Sequence, residues 1–234
     1  MSDAATVEPA EAIGRAANRI RQRISDAGGD PERIRLVAVT KGQPAETVRA
    51  AVAAGLTDLG ESYAQELAAK ADELDVLDEV TASRVRWHWI GRLQRNKVRQ
   101  LAPLVRLWHS IDRLSLAAEV ARRAPGATVL VQVNVGEAPE QGGCAPGLAA
   151  ALVEGCTDLG LEVRGLMAIG PQGAPDAQRA GFRTLRGLAD ALGLQERSMG
   201  MSGDLEAAVA EGTTMVRIGT ALFGPRGGSA AVGK

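Results

Sequence analysis

The stretch RIRLVAVTKGQPAETVRAAVAAG, Arg33 to Gly55, contains one complete structural unit. Its core, Leu36–Lys41, reads Leu-Val-Ala-Val-Thr-Lys, an apolar run without polar alternation and the pattern of a strand buried on both faces. Gly42 and Pro44 then break the chain. From Ala45 an Ala/Val-rich segment of helical character follows and stops at Gly55, where a C-terminal cap favours glycine. Strand, turn and capped helix make a βα unit.

The same alternation continues outward. Strands are expected at Ile34–Thr40, Thr57–Gly60, Arg86–Ile90, Val105–Ser110, Thr128–Asn134, Glu162–Ile169, Gln195–Met201 and Met215–Gly219. Helices are expected to begin near Ala45, Tyr63, Leu93, Arg113, Pro146, Pro175 and Asp204, several of them closing on a glycine such as Gly55, Gly160, Gly193 or Gly212. A further helix over Glu8–Ala27 precedes them, with Ile13, Ala16, Ala17, Ile20 and Ile24 as its apolar face. Parallel strands need helical crossovers. Eight unbroken βα units predict closure into a single (β/α)8 TIM barrel with an extra N-terminal helix. The alternative is an open doubly wound sheet, usually of fewer strands. No Pro/Ser-rich linker divides the chain, so one domain is expected over residues 13–226. It is flanked by a flexible arm, 1–12, and a flexible Gly-rich tail, 227–234.

Composition narrows the function classes. The chain has 234 residues, is 45% hydrophobic and carries a net charge of −1, so no strong overall pull toward nucleic acid or an anionic membrane exists. Its two cysteines, Cys144 and Cys156, form no CxxC, which speaks against a disulfide framework or a cysteine zinc site and fits a reducing compartment. The acidic start MSDAATVEPAEA has no apolar core of a secretory signal, and no apolar run approaches the ~18 residues of a membrane span. A cytoplasmic protein is expected.

In a barrel, chemistry sits at the C-terminal strand ends. Lys41 ends the first strand, where apolar walls lower an amine's pKa and make it a nucleophile toward aldehydes and ketones. The plain alternative is a solvated loop lysine. At the other end of the chain, the seventh strand runs into Ser202-Gly203-Asp204 and the eighth into Gly219-Thr220. The loops after strands seven and eight form the usual phosphate site of this fold. Ser202 and Thr220 add hydroxyl donors, while Gly203 and Gly219 allow close backbone approach; a helix N-cap and a tight turn are the plain readings of Ser202 and Gly219. A reactive lysine and a phosphate site in one mouth point to a phosphorylated aldehyde.

The segments LVAVTK, LGESYAQE, WHWIGRLQRNK, SIDR, GLMAIG and GMSGDLEAAVAEGTTMVRIGTALFG, in this order, resemble the pyridoxal phosphate homeostasis protein family from about Ile13 to Arg226. The resemblance implies a barrel of the alanine racemase N-terminal type. It also implies pyridoxal 5'-phosphate (PLP) held as a Schiff base on Lys41, and a role in PLP balance without an established turnover reaction. Residues implied around the cofactor are Lys41, Ser62, Met201, Ser202, Gly203, Arg217, Gly219 and Thr220. Apo PLP-dependent enzymes are the candidate recipients. Three places depart from the family pattern: Ser62 stands where an asparagine is usual, Arg92 and Arg95 replace common Pro and Ser, and the fifth-strand exit NVGEAPEQGGC is unusual.

Rival readings rest on specific residues. A PLP racemase needs a second base opposite the lysine, a tyrosine in the related alanine racemases, and those enzymes add a β-rich domain. Here the chain ends soon after its eighth strand, and Tyr63 is the only tyrosine, expected at the rim or in packing. A Schiff-base aldolase would want Glu61 or Asp204 as acid/base. Arg92, Arg95, Lys97 and Arg99 within GRLQRNKVRQ, with Arg92, Arg95 and Arg99 on one helix face, read as a solvated face in preference to a nucleic-acid site. His88 and His109 lie on different strands, read as structural, and make no metal site without carboxylates or thiols nearby, so no metal is expected. Met167 reads as barrel interior. If Met215 and Arg217 alternate inward, Arg217 meets the ring nitrogen, as the arginine of related racemases does, or pairs with a barrel carboxylate. A positive charge there leaves the ring a weak electron sink. Contact of Thr220 with a phosphate then requires the strand to end near Gly219. A monomer is expected.

Overall fold

The computed structural model describes residues 4–77, 79–136 and 138–224. Eight parallel strands close in sequential order: β1 (Arg35–Val39), β2 (Asp58–Glu61), β3 (Arg86–Trp89), β4 (Val105–Ile111), β5 (Thr128–Gln132), β6 (Glu162–Met167), β7 (Glu196–Ser198) and β8 (Met215–Ile218). The seam pairs β8 with β1, Val37 opposite Arg217, which makes this the barrel and not an open sheet.

The helices are α1 (Ala4–Asp26), α2 (Ala45–Ala53), α3 (Ala64–Leu77), α4 (Glu79–Arg84), α5 (Arg95–Leu101), α6 (Leu114–Arg123), α7 (Ala149–Asp158), α8 (Pro175–Ala191), α9 (Leu205–Ala210) and α10 (Thr220–Phe223). Helix α1 reaches back to Ala4, into the stretch expected as an arm, because Ala4, Ala5, Glu8, Ala10 and Glu11 are good helix formers. The expected tail, 227–234, lies outside the described residues. Three helical pieces are additional among the described residues: α4 ahead of β3, a 3₁₀ turn at Pro139–Gln141 after β5, and the single turn α10 directly after β8. The helix expected from Pro146 opens as a 3₁₀ turn, Pro146–Leu148, before α7. Strand β5 is shorter than expected; beyond it only Val133 makes a bridge, to Cys144.

Two apolar layers hold the barrel. The large one lies between strands and helices and includes the inner face of α1, Ile13, Ala17, Ile20 and Ile24. The small one lies inside the barrel: Val37, Leu107, Leu130, Met167 and Met215, with Ile169 against it. Strand alternation sorts side chains between the layers. In Trp87-His88-Trp89 both indoles face the helices, and His88 points inward. Val216 and Ile218 face outward, so Met215 and Arg217 face the interior. Gly55 ends α2 with φ 86, a conformation that glycine adopts without strain.

Candidate functional site

A cavity of about 330 Å3 opens at the C-terminal end of the barrel strands. Lys41, Ser62, Met201, Ser202, Gly203, Arg217, Gly219 and Thr220 all stand on its wall. Residues from four of the eight strand exits, separated by up to ~180 positions, are thus brought to one mouth by closure of β8 onto β1. Val39, Ile90 and Ile169 supply its apolar side.

Lys41 lies just past β1, in a turn clamped from both sides. The Lys70 ammonium on α3 is buried and donates to the Thr40 carbonyl at 2.7 Å, to Glu61 Oε1 at 2.6 Å and to Glu66 Oε1 at 2.6 Å. Glu66 Oε1 also accepts the Gly42 N–H at 2.5 Å. The two peptides flanking Lys41 are therefore tied to one ion cluster. Thr40 Oγ1 donates to Glu61 Oε1 at 2.8 Å. Burial pushes the Glu61 carboxyl above its usual range, and the attraction of Lys70 and the Thr40 hydroxyl only partly offsets this. Glu61 is thus committed to the Lys70 cluster, one step behind the cavity wall.

The β7 and β8 exits form the opposite wall. Asp204, not Ser202, occupies the N-cap position of α9, and its Oδ1 accepts the Met201 N–H at 2.5 Å. This bond curls the loop so that Ser202 and Gly203 face the cavity. Burial raises the Asp204 carboxyl above its usual range, against the Met201 N–H and the Arg217 charge. From outside, Arg23 of α1 donates to the Ser202 carbonyl at 3.1 Å and pairs with Glu206 at 2.8 Å, so the extra N-terminal helix braces this loop. β8 ends at Ile218 and α10 starts at Thr220, which turns Thr220 toward the mouth despite its outward strand parity.

Arg217 is buried and keeps its charge without a carboxylate in contact among the described residues. Nη1 donates to the Ser198 carbonyl and to Ser198 Oγ, both at 2.7 Å, and Nη2 to the Ala168 carbonyl at 2.8 Å. Burial pulls its pKa down to about 10, with Asp204 acting in the opposite direction. At neutral pH it remains a cation facing the cavity.

Residues 10–227 match the family model "Alanine racemase, N-terminal domain". A pyridoxal phosphate homeostasis protein of Pseudomonas aeruginosa is 46% identical over 225 residues, covering 93% of this chain and 95% of that protein. This chain belongs to the pyridoxal phosphate homeostasis protein family. Among solved structures, a Bifidobacterium adolescentis protein of unknown function superposes with a TM-score of 0.84 at 34% identity, covering 95% of this chain and 97% of that one. PipY of Synechococcus elongatus, solved with PLP bound, superposes with a TM-score of 0.74 at 35% identity, covering 87% and 99%.

In this family member, several residues stand elsewhere than the sequence places them. Helix α5 begins at Arg95, so Arg92 lies in the preceding loop and shares no helix face with Arg95 and Arg99. Tyr63 is 55% exposed and is not on the cavity wall. Gln43, two residues past Lys41, joins the wall without having been singled out. Lys70 was also missed, because Glu66–Lys70 reads as an ordinary surface i,i+4 pair until Glu61 is folded against it. His88 and His109, read as separate and without a carboxylate nearby, are bonded to each other at 2.8 Å, and His88 Nε2 lies 3.0 Å from Asp58 Oδ1.

Proposed function

We propose that this protein holds PLP at the barrel mouth and releases it to apo PLP-dependent enzymes, maintaining the PLP pool without turning over amino acids. The observation that carries this reading is the meeting of Lys41 with the Ser202–Gly203 and Gly219–Thr220 loops on one cavity. An amine on one wall, hydroxyl and loop donors on the other, a cation between them and apolar side chains around fit an aromatic aldehyde that bears a phosphate. PLP supplies such an aldehyde, which condenses with a primary amine. The chain's own residues do the rest. The Lys70 cluster fixes the peptides on either side of Lys41 and so aims its side chain. Ser202 and Thr220 donate hydroxyl hydrogens toward phosphate oxygens, with loop N–H groups beside them. Arg217 presents a positive charge to the ring nitrogen, which disfavours its protonation and keeps the ring a weak electron sink.

Two features support holding over turnover. The chain's only tyrosine, Tyr63, is off the cavity wall, so the opposing base of a racemase has no candidate of that type. The carboxylates near the mouth are committed, Glu61 and Glu66 to Lys70 and Asp204 to the Met201 N–H. One barrel carries every residue of the site, so a monomer suffices.

The test is to load the protein with PLP, fix the link with borohydride and map the labelled peptide. Lys41 is the expected position, and Lys41→Ala abolishes both the visible band and the label. The loaded protein, incubated with L- and D-amino acids, is expected to transfer PLP to an apo-enzyme but to leave chirality unchanged. Racemisation or decarboxylation of order 1 s⁻¹ or faster, or labelling at another lysine, would overturn the reading.

A further inference from the structure

The barrel interior below the cavity contains a polar chain that the holding of PLP leaves unexplained. Arg217 Nη1 lies 2.7 Å from Ser198 Oγ. Ser198 Oγ lies 3.0 Å from His109 Nδ1, His109 Nε2 lies 2.8 Å from His88 Nδ1, and His88 Nε2 lies 3.0 Å from Asp58 Oδ1. Asp58 stands at the opposite, N-terminal end of the strands, and Arg86 grips it through Nε at 2.9 Å and Nη2 at 2.7 Å. Ser198 and both histidines are buried, so each of their polar atoms needs its partner.

With both rings neutral, the direction of every bond follows from its ends. Arg217 only donates, so Ser198 Oγ accepts from it and sends its single hydrogen to His109 Nδ1. His109 Nδ1 is then an acceptor, and Nε2–H donates to His88 Nδ1. His88 in turn donates Nε2–H to Asp58, which as a carboxylate only accepts. The reverse order would aim a ring lone pair at the carboxylate and leave the buried Ser198 hydrogen without an acceptor. Complete burial, with the Arg217 charge beside it, keeps His109 well below its ordinary pKa and therefore neutral, as this order requires. Burial alone would raise the Asp58 pKa, but the bonds from Arg86 and His88 outweigh it and keep the carboxylate ionised.

We propose that Ser198, His109, His88 and Asp58 are positioning residues, a one-way hydrogen-bond chain through the barrel that orients the Arg217 guanidinium toward the cavity from the floor upward. The aligned dipoles carry part of the Asp58 charge to Arg217 and favour one guanidinium orientation. The proposal rests on the reading of the cavity as a PLP site with Arg217 facing the ring.

Two measurements test it. Long-range ¹⁵N–¹H NMR on the unmodified, cofactor-free protein should show both histidines as neutral Nε2–H tautomers; an Nδ1–H on either one overturns the chain. Ser198→Ala, His88→Leu and Arg217→Gln are then loaded with PLP labelled with ¹⁵N in the ring. Arg217→Gln should move the ring nitrogen resonance and weaken binding. Ser198→Ala should move the resonance in the same direction and weaken binding about tenfold, the loss of one bond to a charged group. His88→Leu, which does not line the cavity, should give a smaller shift of the same sign. Wild-type resonance and affinity in Ser198→Ala and His88→Leu, while Arg217→Gln changes both, would refute positioning. An unmoved Arg217→Gln refutes the ring contact and the positioning with it, and absence of PLP binding by the unmodified protein refutes the holding function itself.

Discussion

Lys70→Met tests how the Lys41 turn is held. In the folded protein the Lys70 side chain is 6% exposed and that of Glu61 is fully buried. Methionine fills much of the same volume but removes three hydrogen bonds. Glu61 Oε2 already has no partner, so Glu61 would keep only the Thr40 hydroxyl. Breaking a buried pair from one side costs about 3–5 kcal/mol. The lower end applies here because Glu61 can take up a proton, and ~3 kcal/mol corresponds to a fall of roughly 6–12 °C in Tm for a chain of this size. The loss depends on pH. Glu61 has a raised folded pKa, so between the unfolded value of 4.5 and the folded value the folded state holds the extra proton. Stability therefore falls as pH rises through that window. Removing Lys70 raises the folded pKa further and widens the window upward. Urea unfolding of both proteins at pH 5 and pH 8 should show a larger difference at pH 8. Lys70→Met with Glu61→Leu should recover most of the loss, since the fully buried carboxylate is gone and the Glu66 carboxylate that remains is part-exposed to water. A loss below about 1 kcal/mol, equal at the two pH values, would refute the buried cluster as the clamp.

Three further outcomes are expected. Pyridoxal, which lacks the phosphate, should bind far more weakly than PLP, by about 1.5–3 kcal/mol for each charge-assisted bond lost; the same comparison on Ser202→Ala and Thr220→Val by fluorescence titration apportions the loss, and equal affinities for the two ligands would refute the phosphate loops. Burial pushes Cys144 and Cys156 up to about 11, so a thiol reagent at pH 8 should react slowly with the native protein and fast after denaturation; fast native reaction counts against the buried placement. In Gly91→Ala the new Cβ would fall 2.5 Å from the Ser62 carbonyl oxygen and 2.7 Å from its Cα, so the Ser62 turn must move. About 1–3 kcal/mol of destabilisation in chemical denaturation and weaker PLP binding are expected, and wild-type values of both would show that the turn is slack.

The fold was legible because each βα unit carries its own signals. The apolar run, the Gly42–Pro44 break and the Gly55 cap are local, and eight repeats leave few topologies. Period-two alternation also placed Met167, Met215 and Arg217 inside, as they are. Boundaries slipped where tertiary contacts decide them: past Gln132 the chain leaves β5, and Val133 bridges to Cys144 in the following loop. Lys41 and the β7–β8 loops were legible because the fold assigns chemistry to strand ends. Lys70 was not, since two of its three partners, Glu61 and the Thr40 carbonyl, come from other parts of the chain.

The polar chain is the least legible feature, and its reason is geometric. Barrel interiors are mostly stacked layers of branched apolar side chains. Here β3 and β4 each send a histidine inward, β7 a serine and β8 an arginine, so each of these strands contributes a single member of the chain. Only closure of the barrel brings β4 across to β7, so that His109 reaches Ser198. An unpartnered polar group buried at any of these positions would cost about 1–3 kcal/mol. The set is tolerable together and costly singly, and it ends at Arg217, a cation inside the barrel that faces the cavity. An apolar residue at His88 and His109 would pack as the neighbouring Leu107 and Leu130 do, so barrel packing alone gives no reason for the imidazoles; orientation of Arg217 does.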